Sequence, residues 1–266
     1  MFQHFFSEPV PDIMLTRTEG IVLKSQKYGE ADLIVTFLTP DRGIISAFAK
    51  SPRKTKSRFG SSLEPLTHSK ISLWGKEQSL PKLTQSDIIH SFQKIRDNYH
   101  DFVSVSKLSE ILLSLTPAES PNKKLFSFFL NILQFIKSSE QESRNSNEAL
   151  HLISRIRLLA IIGYAPRLSG CGRCGSGSVD FFPDAGTTLC KKCSTHPANE
   201  SKPFVRLNNQ SIQFYKHSIE WPVNKSNRLK PNHDTLTALS GVLERHLQYL
   251  LSKKLRSSDF PVGTGK

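Results

Sequence analysis

Four cysteines in the second half of the chain are spaced as C-x2-C-x15-C-x2-C. Two cysteines separated by two residues place both thiolates on one tight turn, and two such turns supply the four soft ligands that zinc prefers in a tetrahedron. The spacing therefore predicts one zinc ion per chain, with room for a small hairpin between the pairs. Four thiolates leave no coordination position for water, so we expect a structural metal. The predicted ligands are Cys171, Cys174, Cys190 and Cys193.

The residues around these cysteines favour the same interpretation. Gly172 and Gly175 supply the dihedral freedom that the first turn needs. Close cysteine pairs point to a metal in a reducing cytosol, because disulfides belong to oxidising compartments. The alternative that the spacing leaves open is four free thiols without a metal.

The first 90 residues have the β-branched and alternating patterns of short strands. A turn signal at Pro40-Asp41-Arg42-Gly43 separates two of them. Five short strands in about 75 residues are typical of a small barrel, and the OB-fold is the best candidate because its strands and loops bind oligonucleotides. The predicted strands are 18–24, 31–38, 44–50, 67–74 and 80–89.

From residue 92 the apolar residues recur with the period of a helix. One helix is predicted to end at Thr116-Pro117, another over 148–162 is predicted to end at Gly163, and a last helix is predicted over 236–251. The predicted fold class is therefore α+β, an OB-fold β-barrel followed by an α-helical domain. The predicted divisions are a disordered extension at 1–15, the OB-fold domain at 16–90, the helical domain at 91–256 with a zinc finger at 171–193, and a disordered tail at 257–266.

A basic loop follows the third predicted strand. It packs five cations into nine residues without an acid, and such a loop repels itself unless an anion neutralises it. The whole chain has a formal net charge of +13, which favours polyanions such as nucleic acids. The alternative is a solvated loop without a partner. The loop cations are Lys50, Arg53, Lys54, Lys56 and Arg58.

The sequence lacks the patterns of the common catalytic and membrane classes. It has no P-loop, no G-x-S-x-G and no H-E-x-x-H, and nothing places two carboxylates in an acid–base arrangement. We therefore expect no enzyme activity. It also has no apolar run of about 18 residues and no basic n-region, so neither a transmembrane helix nor a secretory signal is expected, and the expected location is the cytoplasm.

Four segments are informative as an ordered set: GEADLIVTFLTPDRGIISAFAK at 29–50, KSRFGSSLEP at 56–65, RLLAIIGYAPRLSGCGRCG at 157–175 and CKKC at 190–193. In this order and spacing they resemble the RecO family of DNA repair proteins, and the resemblance extends over residues 16–255. Each segment alone is a weak signal. Some members of that family lack the cysteines, whereas this chain has all four.

The resemblance implies an N-terminal OB-fold and a helical domain with an inserted zinc finger. It also implies binding to single- and double-stranded DNA, annealing of complementary strands and a location at the nucleoid. The implied partners are RecR and single-stranded-DNA-binding protein, with RecA loaded indirectly onto the coated DNA. The five loop cations would then contact the DNA backbone, and Phe59 or Trp74 would stack on a base. For Trp74, packing at the barrel edge is the alternative.

Two other functions stay open at this point. One is a zinc-ribbon scaffold that binds RNA, and the other is a nucleic-acid-modifying enzyme with a structural zinc ribbon. Competition between DNA and RNA oligomers distinguishes the first, and an assay of nuclease or ligase turnover distinguishes the second.

Overall fold

The computed structural model describes residues 13–52, 59–76, 79–138, 144–194, 203–222, 225, 229–252 and 255–259. An all-β part is followed by a mainly helical part, which confirms the predicted mixed α+β class. The chain divides into two compact units. The first contains Met1–Gln93 and Pro117–Ser127, and the second contains Lys94–Thr116 and Phe128–Lys266.

Five strands make up the N-terminal part: β1 (Ile13–Tyr28), β2 (Asp32–Thr39), β3 (Gly43–Ala49), β4 (His68–Lys76) and β5 (Lys82–His90). They form a closed barrel in the order β1-β2-β3-β5-β4. β1 is 16 residues long, and its two halves pair with different neighbours. Residues 21–28 pair with β2 and residues 13–21 pair with β4, both antiparallel, and this double pairing closes the barrel.

The barrel interior is filled by the apolar residues of the alternating strands. A turn after residue 58 adds two more side chains, Phe59 and Leu63, to this core. The other buried members are Val22, Val35, Phe37, Ile45, Ala47, Ala49, Ile71, Leu73 and Leu83.

The helices of the described residues are α1 (Gln93–Asp97), α2 (Tyr99–Leu115), α3 (Lys123–Ser138), α4 (Arg144–Ile161), α5 (Lys191–Ser194), α6 (Asn209–Glu220) and α7 (His233–Leu251), with a 3-10 helix at Arg256–Asp259. Asparagine side chains accept the first free backbone N–H groups of α2, α3, α6 and α7. α2 ends before Pro117 and α4 ends before Gly163, as the sequence predicts. No described helix is long and apolar enough to cross a bilayer.

The helical unit has its own core, formed where α4, α6 and α7 pack together. Buried side chains at helical spacing fill this contact, as the periodicity predicts. They include Ile153, Ile156, Leu159, Phe214, Tyr215, Leu239 and Leu243.

A small second sheet follows α4. Its strands are β6 (Arg167–Cys171), β7 (Asp180–Phe182), β8 (Thr187–Thr188) and β9 (Val205–Arg206), in the order β6-β8-β7-β9. β7 and β8 form the hairpin that the space between the cysteine pairs allows.

Residues 1–15 and 257–266 were predicted to be disordered, but the parts of them that the structure describes are ordered. Residues 13–15 belong to β1, and 257–259 belong to the 3-10 helix. The predictions for 1–12 and 260–266 lie outside the described residues.

Candidate metal centre and nucleic-acid interface

The four cysteines come together at the second sheet. Cys171 is the last residue of β6, Cys174 follows in the next turn, Cys190 comes directly before α5 and Cys193 lies in α5. Their sulfur atoms all lie within 4.8 Å of one another, and those of Cys174 and Cys190 are 3.6 Å apart. Four sulfurs around one zinc ion at about 2.3 Å are separated by about 3.8 Å. The four predicted ligands therefore lie close enough together to hold one metal ion.

Two glycines shape the first cysteine turn, each for a different reason. Gly175 has φ +76°, and its N–H donates to the Cys171 carbonyl at 2.9 Å. Gly172 has no positive φ, but a Cβ on it would lie 2.4 Å from Thr187 Cγ2. Dihedral freedom is thus needed at Gly175 only, while Gly172 allows the turn to approach β8 closely.

The second cysteine turn is the single helical turn α5. The N–H groups of Cys193 and Ser194 both donate to the Cys190 carbonyl, at 3.0 and 2.8 Å. Arg173, from the first turn, donates to the Cys193 carbonyl at 3.2 Å. Backbone bonds therefore shape the second turn, and the Arg173 side chain connects it to the first turn.

The surroundings of the sulfur atoms drive two thiol pKa values apart. Backbone N–H groups, first that of Cys190, lower the pKa of the Cys171 thiol to about 6. The neighbouring sulfurs, first that of Cys190, raise the pKa of the Cys193 thiol to about 12. Thiolates packed this closely repel one another, and a divalent cation between them removes that cost. The donor set therefore suits a metal ion.

The cysteine-bearing sheet packs on α7 through a histidine. The Phe181 ring is fully buried, with its centroid 5.9 Å from that of His246. His246 Nε2 donates to the Tyr164 carbonyl at 2.9 Å. These contacts anchor the sheet that carries Cys171 to α7.

The described residues contain only two of the side chains predicted to bind DNA, Lys50 and Phe59. Lys50 directly follows β3 and is exposed. The predictions for Arg53, Lys54, Lys56 and Arg58 lie outside the described residues.

The structure corrects the prediction for Phe59. Its side chain is 3 % exposed and belongs to the barrel core together with Leu63. The Ser62 N–H donates to the Phe59 carbonyl at 2.9 Å, which closes the turn that points the ring inward. The ring therefore has no free face on which a base could stack.

Trp74 lies on the outside of the barrel instead. Its side chain is 49 % exposed, and the strand register places it between Leu15 of β1 and Lys82 of β5. Leu15 is 55 % exposed. Trp74 thus offers an aromatic surface to a ligand, in addition to its contacts along the strands.

Cations surround Trp74 on this surface. Successive strand residues point to opposite faces, so Lys76 of β4 lies on the same side as Trp74. Arg17 of β1 pairs with Ser72, two positions from Trp74 along β4. Glu19 and Asp87 lie further along the same strands, so the opposite end of the surface has mixed charge. We call Leu15, Arg17, Trp74, Lys76 and Lys82 the outer-barrel face.

The sequence identified Trp74 but not its neighbours. Arg17 and Lys82 come from strands far apart in the sequence, and only the register brings them together. The signal that could have found them is the outward position of each residue in its strand pattern.

A second group of metal-binding side chains was not predicted from the sequence. His100, Asp101 and His151 each offer one ligand atom within 4.8 Å of the others. His151 lies 50 residues from Asp101, so no local spacing indicates the group.

The expectation that the chain is not an enzyme is not tested by these observations and stays a prediction.

Comparison with known proteins gives a consistent family result. The family Recombination protein O N terminal matches residues 14–92, and Recombination protein O C terminal matches residues 96–259. A DNA repair protein RecO from Thermodesulfovibrio yellowstonii is 42% identical over 233 residues, covering 86% of this chain and 91% of the relative. One from Rubrobacter xylanophilus is 32% identical over 193 residues, 71% of this chain and 75% of the relative. One from Dehalococcoides mccartyi is 28% identical over 242 residues, 90% of this chain and 91% of the relative.

Proposed function

The chain belongs to the RecO family of DNA repair proteins, and from this premise we propose that it is a DNA-binding recombination mediator without catalytic activity. In this proposal it binds single- and double-stranded DNA and anneals complementary strands. Together with RecR it helps to load RecA onto DNA coated with single-stranded-DNA-binding protein, in the cytoplasm at the nucleoid. The match of family models to both parts of the chain is the observation that carries the proposal.

The barrel supports this function if it is of the OB type. Its five strands, closed in the order β1-β2-β3-β5-β4, support this assignment, since the OB-fold is a five-stranded Greek-key barrel. Proteins of this type bind single strands with cations along the backbone and aromatic rings on which bases stack. The outer-barrel face supplies both chemistries at Trp74, Lys76 and Lys82. We assign it as a single-strand site, in addition to the phosphate contacts predicted from charge for the loop that starts at Lys50.

Annealing requires two polyanions to be held side by side. Each protein cation that contacts a phosphate releases a counterion, and the entropy of release offsets the repulsion between strands. The net charge of +13 means that the chain has more cations than acids, and the surplus cations can contact phosphates. A ring that stacks on a base also keeps that base unpaired and open to a complementary strand. No bond is made or broken in either step.

In the proposal the four cysteines hold one zinc ion, whose role is structural. Metal binding and folding are coupled in such sites, so losing one thiolate costs stability as well as metal. The change Cys190→Ser should abolish stoichiometric zinc in elemental analysis and lower the melting temperature of the helical unit. The neighbouring exposed residue provides a control, since Lys191→Ala should keep one zinc per chain. Wild-type protein purified without chelator and found free of zinc would exclude the assignment.

The function is tested by strand annealing with purified protein. Complementary oligonucleotides are mixed bare and after coating with single-stranded-DNA-binding protein, and duplex formation is followed by fluorescence energy transfer. We expect faster annealing in both cases, with RecR required for RecA loading in a separate assay. Annealing at the spontaneous rate on both substrates would contradict the proposal.

Two control assays separate this function from the alternatives. Competition with RNA of the same sequence should displace DNA less well than DNA itself, which would not be the case for an RNA scaffold. Incubation with labelled duplex and Mg²⁺ should give no cleavage or ligation product. A product that disappears with a point substitution would identify an enzyme instead.

A further inference from the structure

Three side chains of metal-binding type meet between α2 and α4, within the helical unit. His151 Nε2 lies 3.1 Å from Asp101 Oδ1, and His100 Nδ1 lies 3.8 Å from the same oxygen. The centroids of the two imidazole rings are 5.1 Å apart. One nitrogen from each histidine and one carboxylate oxygen thus form a compact triangle, with all three atoms within 4.8 Å of one another.

The group is held by regular elements. His100 and Asp101 are in the first turn of α2, and the Asp101 N–H donates to the capping side chain of Asn98 at 3.1 Å. His151 lies in α4. The side chains of His100, Asp101 and His151 are 21 %, 14 % and 8 % exposed. Water therefore competes weakly for the ligand atoms, while His100 leaves a path from solvent.

The distances match those of a bound transition metal. An ion at about 2.1 Å from each ligand in a tetrahedral arrangement separates the ligand atoms by about 3.4 Å. The observed separations of 3.1 and 3.8 Å lie on either side of this value. Two imidazoles with one carboxylate suit Zn²⁺, Co²⁺ or Ni²⁺, whereas Mg²⁺ and Ca²⁺ prefer oxygen ligands alone.

We propose that His100, Asp101 and His151 form a second metal site that binds a divalent transition-metal ion, separate from the four-cysteine centre. Three protein ligands leave a coordination position for a water or a ligand atom from elsewhere. Because the ligands come from α2 and α4, the ion joins these two helices. None of the four cysteines contributes a ligand to this second site.

The surrounding charges set this site apart from the thiolate centre. One carboxylate supplies the negative charge, whereas four thiolates supply it at the cysteines. Arg155, whose side chain is 14 % exposed, adds positive charge near His151. This charge is partly offset by Glu244, whose Oε1 lies 3.9 Å from Arg155 Nη1. Binding at the histidines should therefore be weaker than at the cysteines, and metal should leave this site first on dialysis.

Cobalt distinguishes the two sites in the full-length protein as purified, with its cysteine centre filled. Co²⁺ bound to thiolates has an intense sulfur-to-metal charge-transfer band, which two nitrogens and an oxygen cannot produce. Titration with Co²⁺ should therefore give visible d–d absorption that saturates at one further equivalent without a charge-transfer band. Zn²⁺ should displace the Co²⁺ and raise the melting temperature, and Mg²⁺ should do neither.

Substitutions connect the second equivalent to its ligands. His151→Gln and His100→Gln should each lose the d–d signal and the Zn²⁺-dependent shift in melting temperature, and should leave the cysteine-bound metal in place. His233→Gln changes an exposed histidine of α7 and should behave like wild type. If His151→Gln fails to fold, His100→Gln, at the more exposed position, keeps the test valid.

Two results would overturn the proposal. One is a wild-type titration that shows no metal beyond the cysteine centre at saturating Co²⁺. The other is a second equivalent that persists in both His100→Gln and Asp101→Asn. In either case the three side chains form a hydrogen-bonded contact between α2 and α4 and nothing more.

Discussion

Among the five residues of the outer-barrel face, Trp74 is the aromatic side chain on which a base would stack in the proposed single-strand site. Stacking of a base on an aromatic ring contributes about 1–3 kcal/mol. The change Trp74→Ala should therefore weaken single-strand binding by about 5- to 150-fold, measured by fluorescence anisotropy with a labelled oligonucleotide. Duplex binding should change little, because paired bases do not expose their faces.

Tyr249 provides the matched control for Trp74. Its side chain is 56 % exposed on α7, so Tyr249→Ala removes an exposed aromatic ring of similar accessibility from the helical unit. The affinity of Tyr249→Ala for single strands should equal that of wild type. Equal weakening by both changes would mean that Trp74 is not a stacking residue.

Gly172, in the first cysteine turn, leaves no room for a side chain next to Thr187. A Cβ there would lie 2.4 Å from Thr187 Cγ2, so Gly172→Ala forces the first turn away from β8 at a cost of about 1–3 kcal/mol. We expect a lower melting temperature and faster loss of metal to a chelator. The added change Thr187→Ala removes the nearest atoms and should restore part of the loss. A double variant no more stable than Gly172→Ala would contradict this explanation.

The sequence identified functional side chains correctly where the residues that act together are close in sequence. The cysteine spacing identified all four sulfurs that the structure brings together, because each pair acts within one turn. Phe59 was predicted wrongly, since its Gly-Ser-Ser surroundings are typical of a loop while its ring fills the barrel core. His151 was missed because its partner Asp101 is 50 residues away.

Among the secondary-structure elements, the 3-10 helix at Arg256–Asp259 is held by one carboxylate of α2. Glu110 accepts from the Arg256 N–H at 2.7 Å, the Ser257 N–H at 2.9 Å and the Ser257 hydroxyl at 2.5 Å. The change Glu110→Gln removes the charge and part of these bonds. It should lower the free energy of unfolding by about 1–2 kcal/mol, as measured by chemical denaturation. Glu119→Gln, at an exposed position, should have no such effect.

The same carboxylate predicts a pH dependence. Partial burial acts to raise the pKa of Glu110, but the hydrogen bonds from Ser257 and Arg256 outweigh it and hold that pKa below its usual range. A carboxyl whose pKa is lower in the folded state stabilises the fold above its unfolded pKa of about 4.3, and this stability is lost as the pH falls. The stability difference between wild type and Glu110→Gln should therefore shrink below about pH 4. A constant difference down to pH 3 would contradict it.

Secondary-structure elements were predicted correctly where the hydrophobic pattern is long or where a proline or glycine marks the end of a helix. Pro117 and Gly163 set the ends of α2 and α4 correctly. β1 was predicted as 18–24 but spans Ile13–Tyr28, because its outer parts are stabilised by two different partner strands and not by their own alternation. Local propensity carries no information about such pairing.

On the scale of the whole molecule, the basic loop and the outer-barrel face should act on the same strand of DNA. Arg53, Lys54 and Lys56 lie outside the described residues, and their contribution is a prediction from charge alone. Changing all three to alanine should flatten the slope of log K against log salt by about 0.7 per lost contact on single strands, or about 2 in all. The measurement is a salt titration of oligonucleotide binding.

Trp74→Ala serves as the comparison for the triple change. Stacking releases no counterions, so Trp74→Ala should weaken binding without altering the slope. The thermal melt of the triple variant should match that of wild type, because charges in contact with solvent contribute little to stability. An unchanged slope in the triple variant would mean that the loop is solvated and makes no phosphate contact.

The domain organisation was harder to predict than the fold class. Residues 117–127 group with the barrel, although α2 separates them from it in sequence. The reason is a local contact at the β2–β3 turn, where Glu119 N–H donates to the Ile44 carbonyl at 3.0 Å and Gly43 lies against Ser120. No periodicity reveals a segment that returns in this way.

The double pairing of β1 also has a consequence for how the chain is made. β1, β2 and β3 emerge from the ribosome as a meander in which residues 13–20 have no partner, since β4 begins only at His68. Until then β1 presents an open edge, and its pairing with β4 joins residues far apart in sequence, which is slow compared with helix formation. The barrel is therefore complete only after the fourth and fifth strands have been made, since β5 joins β3 to β4. Nascent chains that stop before the fourth strand are the species most prone to pair with one another.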